Sequence, residues 1–252
     1  MRRRWTGFAT VLAVAAFLAG AVPGAGAGDW SAGIEGGLVW FSRNDVRIPG
    51  DGGTRFSLLD LTGTGPSGYV RGRVERSFGA RHTLRLVAAP LTVRGTGTLA
   101  EPVRFEDADY AADTETRGVY RFDTYRLTYR YRLLDTSGWR LGLGAAVLVR
   151  SAEIRLTQGE IDQANTDLGF VPLLHLRLER RLGARTALVL DAEGLGGSQG
   201  RAVDVGLFAA HDVRPNITLS AGYRTLEGGA DVSSVYAFAW LHFAALSAEV
   251  RF

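Results

Sequence analysis

Hydrophobic and polar residues alternate over long stretches of this chain, and a helical period is scarce after residue 30. In 172–182, for example, Leu174 and Leu176 alternate with His175 and Arg177. Successive side chains of a β-strand point to opposite faces, so this period of two predicts strands with one apolar and one charged face. The same pattern runs through 69–78, 124–134, 186–194, 216–224 and 236–252.

The length of these segments favours strands that cross a membrane over those of a soluble sandwich. Many are 10–15 residues long, whereas soluble strands average about 5–6 residues and a tilted membrane strand needs roughly 9–11. The connections alternate between tight turns, such as "DTSG" and "LGAR", and longer polar stretches. The longer stretches are 42–65, 95–118, 157–167, 195–200 and 226–236. Short turns at one end and long loops at the other are typical of bacterial outer-membrane barrels.

The pattern therefore predicts an all-β fold, a closed antiparallel up-and-down transmembrane β-barrel, with ten strands and with eight or twelve as alternatives. The strands are expected near 30–41, 66–78, 83–94, 119–134, 139–155, 169–181, 186–195, 202–212, 216–225 and 239–252. The last strand is placed from Ala239 because a hairpin turning at Gly229 would leave its end overhanging the previous turn. Residues 226–236 are accordingly expected to form a loop.

The first 27 residues are predicted to be a secretory signal peptide, and 28–252 the barrel. Three arginines precede an apolar run from Phe8 to Val22, and Ala25-Gly26-Ala27 fits a small-x-small cleavage site. A membrane anchor is the alternative, but the run is short for a span.

Removal of this segment changes the charge balance. The chain has 29 basic residues, all arginine, and 26 acidic ones. Three arginines leave with the signal peptide (29 − 3 = 26), so the mature chain is formally neutral and gives no reason to expect a nucleic-acid partner. The absence of cysteine excludes disulfides, thiol catalysis and thiolate metal sites. No cofactor and no metal site is predicted.

The C-terminal strand resembles that of Gram-negative outer-membrane β-barrel proteins, which commonly end in phenylalanine after alternating apolar residues. Here these residues are Leu246, Ala248, Val250 and Phe252. The resemblance implies recognition by the barrel-assembly machinery through this strand, contact with outer-membrane lipid and lipopolysaccharide, and a bacterial outer-membrane location with both mature termini periplasmic. It names no activity, because one fold hosts many functions.

The face opposite the lipid is heavily charged. Its expected members are Glu35, Arg71, Arg73, Glu75, Arg85, Arg126, Arg130, Arg132, Arg140, Arg150, His175, Arg177, Glu179, Asp191, Glu193, Asp204, Arg224 and Glu249. Small barrels fill their interiors with side chains, so we expect these charges to pair into a salt-bridged lumen in a protein with a structural or surface-interaction role. A narrow small-solute channel, porin-like, is the alternative interpretation.

An outer-membrane hydrolase is a second alternative. Of four histidines only His175 is expected to point inward, while His242 falls on the lipid-facing parity. The acidic segment 101–116 is expected to form a solvated loop, and a divalent-ion site is the alternative. Arg43, Arg47 and Arg55 lie in another loop, where they are candidates to meet lipopolysaccharide phosphates.

Overall fold

A computed structural model describes residues 30–252. The described chain forms strands separated by turns and one short helical turn, α1 (Leu59–Thr62). The strands are β1 (Trp30–Arg47), β2 (Phe56–Ser57), β3 (Ser67–Phe78), β4 (His82–Ala89), β5 (Thr92–Thr98), β6 (Val103–Phe105), β7 (Ala108–Tyr110), β8 (Glu115–Asp135), β9 (Trp139–Gln158), β10 (Ile161–Arg181), β11 (Thr186–Gly197), β12 (Gly200–Arg214), β13 (Ile217–Val232) and β14 (Val235–Arg251). The predicted signal peptide lies outside the described residues.

The strands close into a ten-position antiparallel barrel, which confirms the predicted fold. Neighbours pair in chain order, and β4 and β5 share one position because both pair with β8, with a break at Pro90. The barrel closes where β1 pairs with β14, from Ser31 opposite Arg251 to Arg47 opposite Tyr236. No described helix has the length and apolar character that a helical membrane span requires.

Several strands extend further than the alternation predicts. The last hairpin turns between Val232 and Val235, not at Gly229. Ile217 therefore pairs with Val250 and no end overhangs, so the expected loop over 226–236 is wrong. The expected loop over 157–167 is likewise mostly strand, because β9 and β10 stay paired up to Gln158 and Ile161. We call the end with the chain termini and short turns the terminal end, and the opposite end the loop end.

The outer face of the barrel is apolar, as the alternation predicted. Leu246 is 68% exposed and Leu174 is 64% exposed, both on the outward parity. Aromatic side chains concentrate at the two borders of this apolar surface. Trp40, Tyr223 and Trp240 lie on the loop-end side, and Phe78, Tyr129 and Trp139 lie toward the terminal end. Such girdles mark the membrane interfaces of outer-membrane barrels.

Two loops fold inward and fill much of the loop-end half. One, 48–66, carries β2 and α1; the other, 99–114, carries the β6–β7 hairpin. We call them together the loop plug. Their buried apolar side chains pack on the inner wall in one core cluster, whose loop members are Ile48, Phe56, Leu58, Leu61, Leu99, Val103, Phe105 and Tyr110. Backbone hydrogen bonds join the loops to each other, from Thr54 to Arg104 and from Glu106 to Ile48.

Candidate functional site: the charged lumen and its two cavities

A layer of ion pairs closes the barrel at the level where the loop plug ends. Its charged members are buried and balanced, with four arginines and four carboxylates among them. They are Arg71, Arg85, Arg126, Arg224, Glu35, Asp191, Glu193 and Asp204. We call this set the ion-pair layer. Alternation brings each side chain to the inner face, and closure of the barrel brings distant strands together.

Asp204 is one hub of this layer. Its carboxylate accepts from Arg224 at 2.6 Å and from Arg71 at 3.0 Å, and it forms an ion pair with Arg126 at 2.6 Å. The three arginines come from β8, β13 and β3, so one carboxylate ties together four strands including its own. Arg224 also reaches Glu35 on β1 at 3.1 Å.

Glu193 is the other hub. It accepts from Arg85 at 2.6 Å, from Arg126 at 2.8 Å and from the Thr128 hydroxyl at 2.9 Å. His175 Nδ1 lies 3.3 Å from the same carboxylate. His175 is thus held within the layer rather than beside a free nucleophile.

The charges toward the terminal end are paired but less buried. Arg130 contacts Glu75 at 2.9 Å, and Arg73 contacts Glu249 at 2.8 Å. Arg177 reaches Asp191 at 3.1 Å with its side chain 30% exposed.

The remaining expected members lie near the ends of the barrel. Glu179 pairs with Arg140 at 3.1 Å, and Arg132 pairs with Asp135 in an exposed position at the terminal end. Arg150 pairs with Asp167 toward the loop end. The structure therefore divides the inward charges into the central layer and two peripheral groups.

Two large cavities adjoin the ion-pair layer from opposite sides. The terminal-end cavity holds about 450 Å³, and Arg71, Arg85 and Asp191 are among its lining residues. The other, which we call the side cavity, holds about 520 Å³ and reaches Arg126 and Asp204. Arg71 lines the terminal-end cavity and Asp204 lines the side cavity, and these two side chains are paired at 3.0 Å, so the layer lies between the two spaces.

The side cavity lies beside an interruption of the barrel wall. Pairing between β10 and β11 runs only from Arg181 opposite Ala187 to Leu174 opposite Gly194. β10 continues to Ile161 with β9 as its partner on one side, while β11 continues only to Gly197. We call this unpaired stretch between 161–173 and 195–197 the wall notch. Pro172 lies in it, and proline has no N–H to donate to a ladder.

On the lipid-facing surface, a serine and a histidine are hydrogen-bonded. His242 Nε2 lies 2.8 Å from Ser42 Oγ, and His242 Nδ1 contacts the Tyr223 hydroxyl. Ser42 is the extra residue of a β-bulge between Phe41 and Arg43, and such bulges re-aim side chains. Alternation placed His242 outward, but the bulge, which brings Ser42 to it, has no signal in the period of two.

Arg43 and Arg47 lie on β1 and not in the expected loop, whereas Arg55 lies in the loop 48–66. All three have carboxylate partners nearby. Asp45 accepts from Arg55 at 2.7 Å and from Arg43 at 2.8 Å, whereas Arg47 lies 3.9 Å from Asp231. Burial acts to raise the pKa of Asp45, but the two arginine hydrogen bonds outweigh it and lower that pKa.

In the acidic segment, Asp109 pairs with Arg104 at 3.1 Å. Within 30–252, no group of three or more histidine, aspartate or glutamate side chains is placed to hold a metal ion.

No protein-family model and no curated protein matches the sequence. Among solved structures, the outer membrane protease OmpT from Escherichia coli is similar at 12% identity, with a TM-score of 0.57 over 88% of this chain and 96% of OmpT. Ail, the attachment invasion locus protein of Yersinia pestis, matches at 12% identity and a TM-score of 0.38, covering 89% of this chain and 99% of Ail. Neisserial surface protein A matches at 14% identity and a TM-score of 0.32, covering 90% and 100%. The likeness to OmpT shows that this chain has the fold of a Gram-negative outer-membrane β-barrel.

Proposed function

We propose that this protein is an integral outer-membrane barrel with a sealed lumen, which serves a structural or surface-interaction role and does not pass solutes. The observation that carries the proposal is the double closure, by the ion-pair layer at mid-height and by the loop plug above it. Opening a path would require breaking buried pairs around Asp204 and displacing side chains such as Phe105, which is fully buried.

The proposed orientation places the terminal end in the periplasm and the loop end outside the cell, since bacterial barrels carry their longer loops on the extracellular side. Both long loops, 48–66 and 99–114, belong to the loop end. The outer leaflet and its lipopolysaccharide then meet the loop-end girdle. Cysteines at Gly52 and Asp109 should react with an impermeant thiol reagent on whole cells, whereas cysteine at Ser137 should not. The reverse pattern would overturn the orientation.

Conductance in planar bilayers tests the sealed lumen. The wild-type protein should be silent. A variant with 50–64 and 100–112 replaced by short Gly-Ser linkers loses the upper closure alone and should stay silent, because the ion-pair layer remains. Adding Asp204→Ala should then produce openings. Discrete openings from the wild type would replace this proposal with the narrow small-solute channel.

An outer-membrane hydrolase is a second candidate, favoured by the hydrogen bond between Ser42 and His242. In that reaction Ser42 Oγ would attack an acyl ester carbonyl while His242 Nε2 takes its proton and returns it to the departing alcohol. Water would then cleave the acyl-serine ester and release the acid. His242 Nδ1 meets the Tyr223 phenol, where many hydrolases place a carboxylate.

A fluorophosphonate probe tests this second candidate directly. Wild-type protein in detergent should be labelled at Ser42, and Ser42→Ala should abolish the labelling. Ser233→Ala, in the exposed turn of the last hairpin, is the matched control and should leave it unchanged. Absence of labelling in the wild type would rule out a hydrolase that uses Ser42 as its nucleophile.

A further inference from the structure

We propose that the side cavity binds a single-chain fatty acid that it takes from the outer leaflet through the wall notch. This inference goes beyond the sealed lumen, because it concerns a binding site above the ion-pair layer and no passage across it. Three observations carry it: the chemistry of the cavity walls, the unpartnered donors within it, and the position of the notch.

The walls of the side cavity are mostly apolar. Leu148, Leu173 and Ala146 form a small buried cluster of their own, apart from the loop-plug core, and Val171 and Ala202 pack against it. All but Ala146 line the cavity. Its volume of about 520 Å³ falls within the roughly 300–1,000 Å³ of small-molecule sites. Such a space suits one hydrocarbon chain better than a two-chain phospholipid.

Three residues that line this cavity each carry a buried donor with no hydrogen-bond partner among the described residues: Asn44 Nδ2, Arg126 Nε and Arg150 Nε. Asn44 is 2% exposed and Arg126 is 3% exposed. A buried donor without an acceptor costs free energy, so native proteins rarely leave one unsatisfied. All three unpartnered atoms donate, and two belong to arginines. The carboxylates of Asp167 and Asp204 at the same cavity already pair with Arg150 and Arg126. A ligand that satisfies the remaining donors therefore carries an acceptor head, and a carboxylate fits this set.

The wall notch gives this cavity a route to the membrane. Phe170 is 69% exposed on the outer face of β10 and also lines the cavity. Leu168, 64% exposed, lies two residues along the same face. On the other side of the notch, Leu195 lines the cavity while remaining 43% exposed. Apolar side chains thus run from the lipid-facing surface to the interior without a paired strand between them.

Photocrosslinking tests the site in phosphatidylcholine nanodiscs that contain a trace of a long-chain fatty acid with a terminal diazirine. The expected result is crosslinks on inward residues such as Leu148, Leu173 and Ala202, besides those on the lipid-facing surface. Ala202→Trp fills the cavity and should lower the inward crosslinks at least fivefold while the outward ones persist. Ala209→Trp, on the lipid face of the same strand, should change neither. Crosslinks on outward residues alone would overturn the proposal.

Two further arms test the head group and the route. Arg150→Gln should lower the inward crosslinks of the acid to the level of the matching alcohol probe; equal labelling by acid and alcohol in the wild type would overturn the carboxylate assignment. Cysteines at Pro172 and Gly196, bridged by a short bis-thiosulfonate reagent, should block inward crosslinking, and reduction should restore it. Inward crosslinks that survive the bridge would show loading from the aqueous side and overturn the membrane route.

Discussion

The lumen nearer the chain termini is filled from the barrel wall, whereas the loop-end half is filled largely from the loops. In the first region, arginines and carboxylates on different strands meet each other, as Arg224 meets Asp204 at 2.6 Å. In the second, apolar side chains such as Phe105 and Leu58 pack against Val39 and Leu241. The charged side chains belong to the barrel strands themselves, while the apolar side chains of the plug belong to two loops. The charged region should therefore unfold only when the whole barrel unfolds, whereas the loop plug should be able to unfold while the barrel stays intact.

The largest expected effect comes from removing a hub of the ion-pair layer. Asp204→Ala leaves three buried arginines with fewer partners, and breaking a buried pair typically costs about 3–5 kcal/mol. Urea unfolding, followed by the mobility of unboiled samples on detergent gels, should show a loss of that size.

Two graded controls sharpen this result. Arg177→Ala removes a pair with a partly exposed arginine and should cost less, about 1 kcal/mol. Asp109→Ala removes an exposed pair and should cost roughly 0–1 kcal/mol. Equal losses for Asp204→Ala and Asp109→Ala would mean that water fills the lumen.

An intermediate effect is expected from Phe105→Ala in the loop plug. Deleting a buried phenylalanine side chain typically costs about 3–5 kcal/mol, but here the loss should appear as opening of 99–114 with the barrel intact. Limited proteolysis should cut this loop faster, with the unboiled gel mobility unchanged. Phe170→Ala, on the exposed outer face, is the matched control. A drop in global stability as large as that of Asp204→Ala would show that plug and wall unfold together.

The smallest effect is a loosening of the loop end in acid. Burial acts to raise the pKa of Glu153, but hydrogen bonds from Arg155 and Arg121 outweigh it, so the pKa lies below its ordinary 4.5. The pKa of Asp45 lies below its ordinary 3.8 because hydrogen bonds from Arg55 and Arg43 outweigh the effect of burial. A carboxyl whose pKa falls on folding stabilises the fold above its unfolded pKa, and this stability is lost as pH falls through the folded value.

The ¹⁹F NMR signal of fluorophenylalanine at Phe56 should therefore stay constant from pH 7 to 5 and change below about pH 4. Asp45→Asn should reduce the part of this change that comes from Asp45. A transition near pH 6 would assign the effect to a histidine instead.

Alternation was sufficient to predict the ten strands and the inward face, because the period of two follows directly from strand geometry. It could not predict which charges pair. Arg85 meets Glu193 across 108 positions in sequence, and this partnership depends on the stagger of strands around a closed barrel.

The loop plug was missed for a different reason. Ile48, Phe56, Leu58 and Phe105 stand among proline, glycine and acidic residues, so neither a strand nor a helix period marks them. The sequence also could not predict the wall notch. Where the hydrogen bonding between two strands stops depends on both strands together, and neither segment shows it alone. Pro172 was its only local sign.

The seam between β1 and β14 has a consequence for folding kinetics. Ser31 and Arg251 are partners across 220 positions (251 − 31), and the backbone groups of Trp30 and Phe252 exchange hydrogen bonds of 3.2 and 2.9 Å. The other neighbouring strands are closer in sequence and can pair early. The ladder between β1 and β14 can form only when both ends of the barrel are present, and contacts between residues so far apart in sequence slow folding. Since the two strand ends lie side by side, a circular permutant joined there and opened at Gln199 would turn the slowest ladder into an ordinary hairpin. The barrel would then have its rate-limiting closure moved to the seam between β11 and β12.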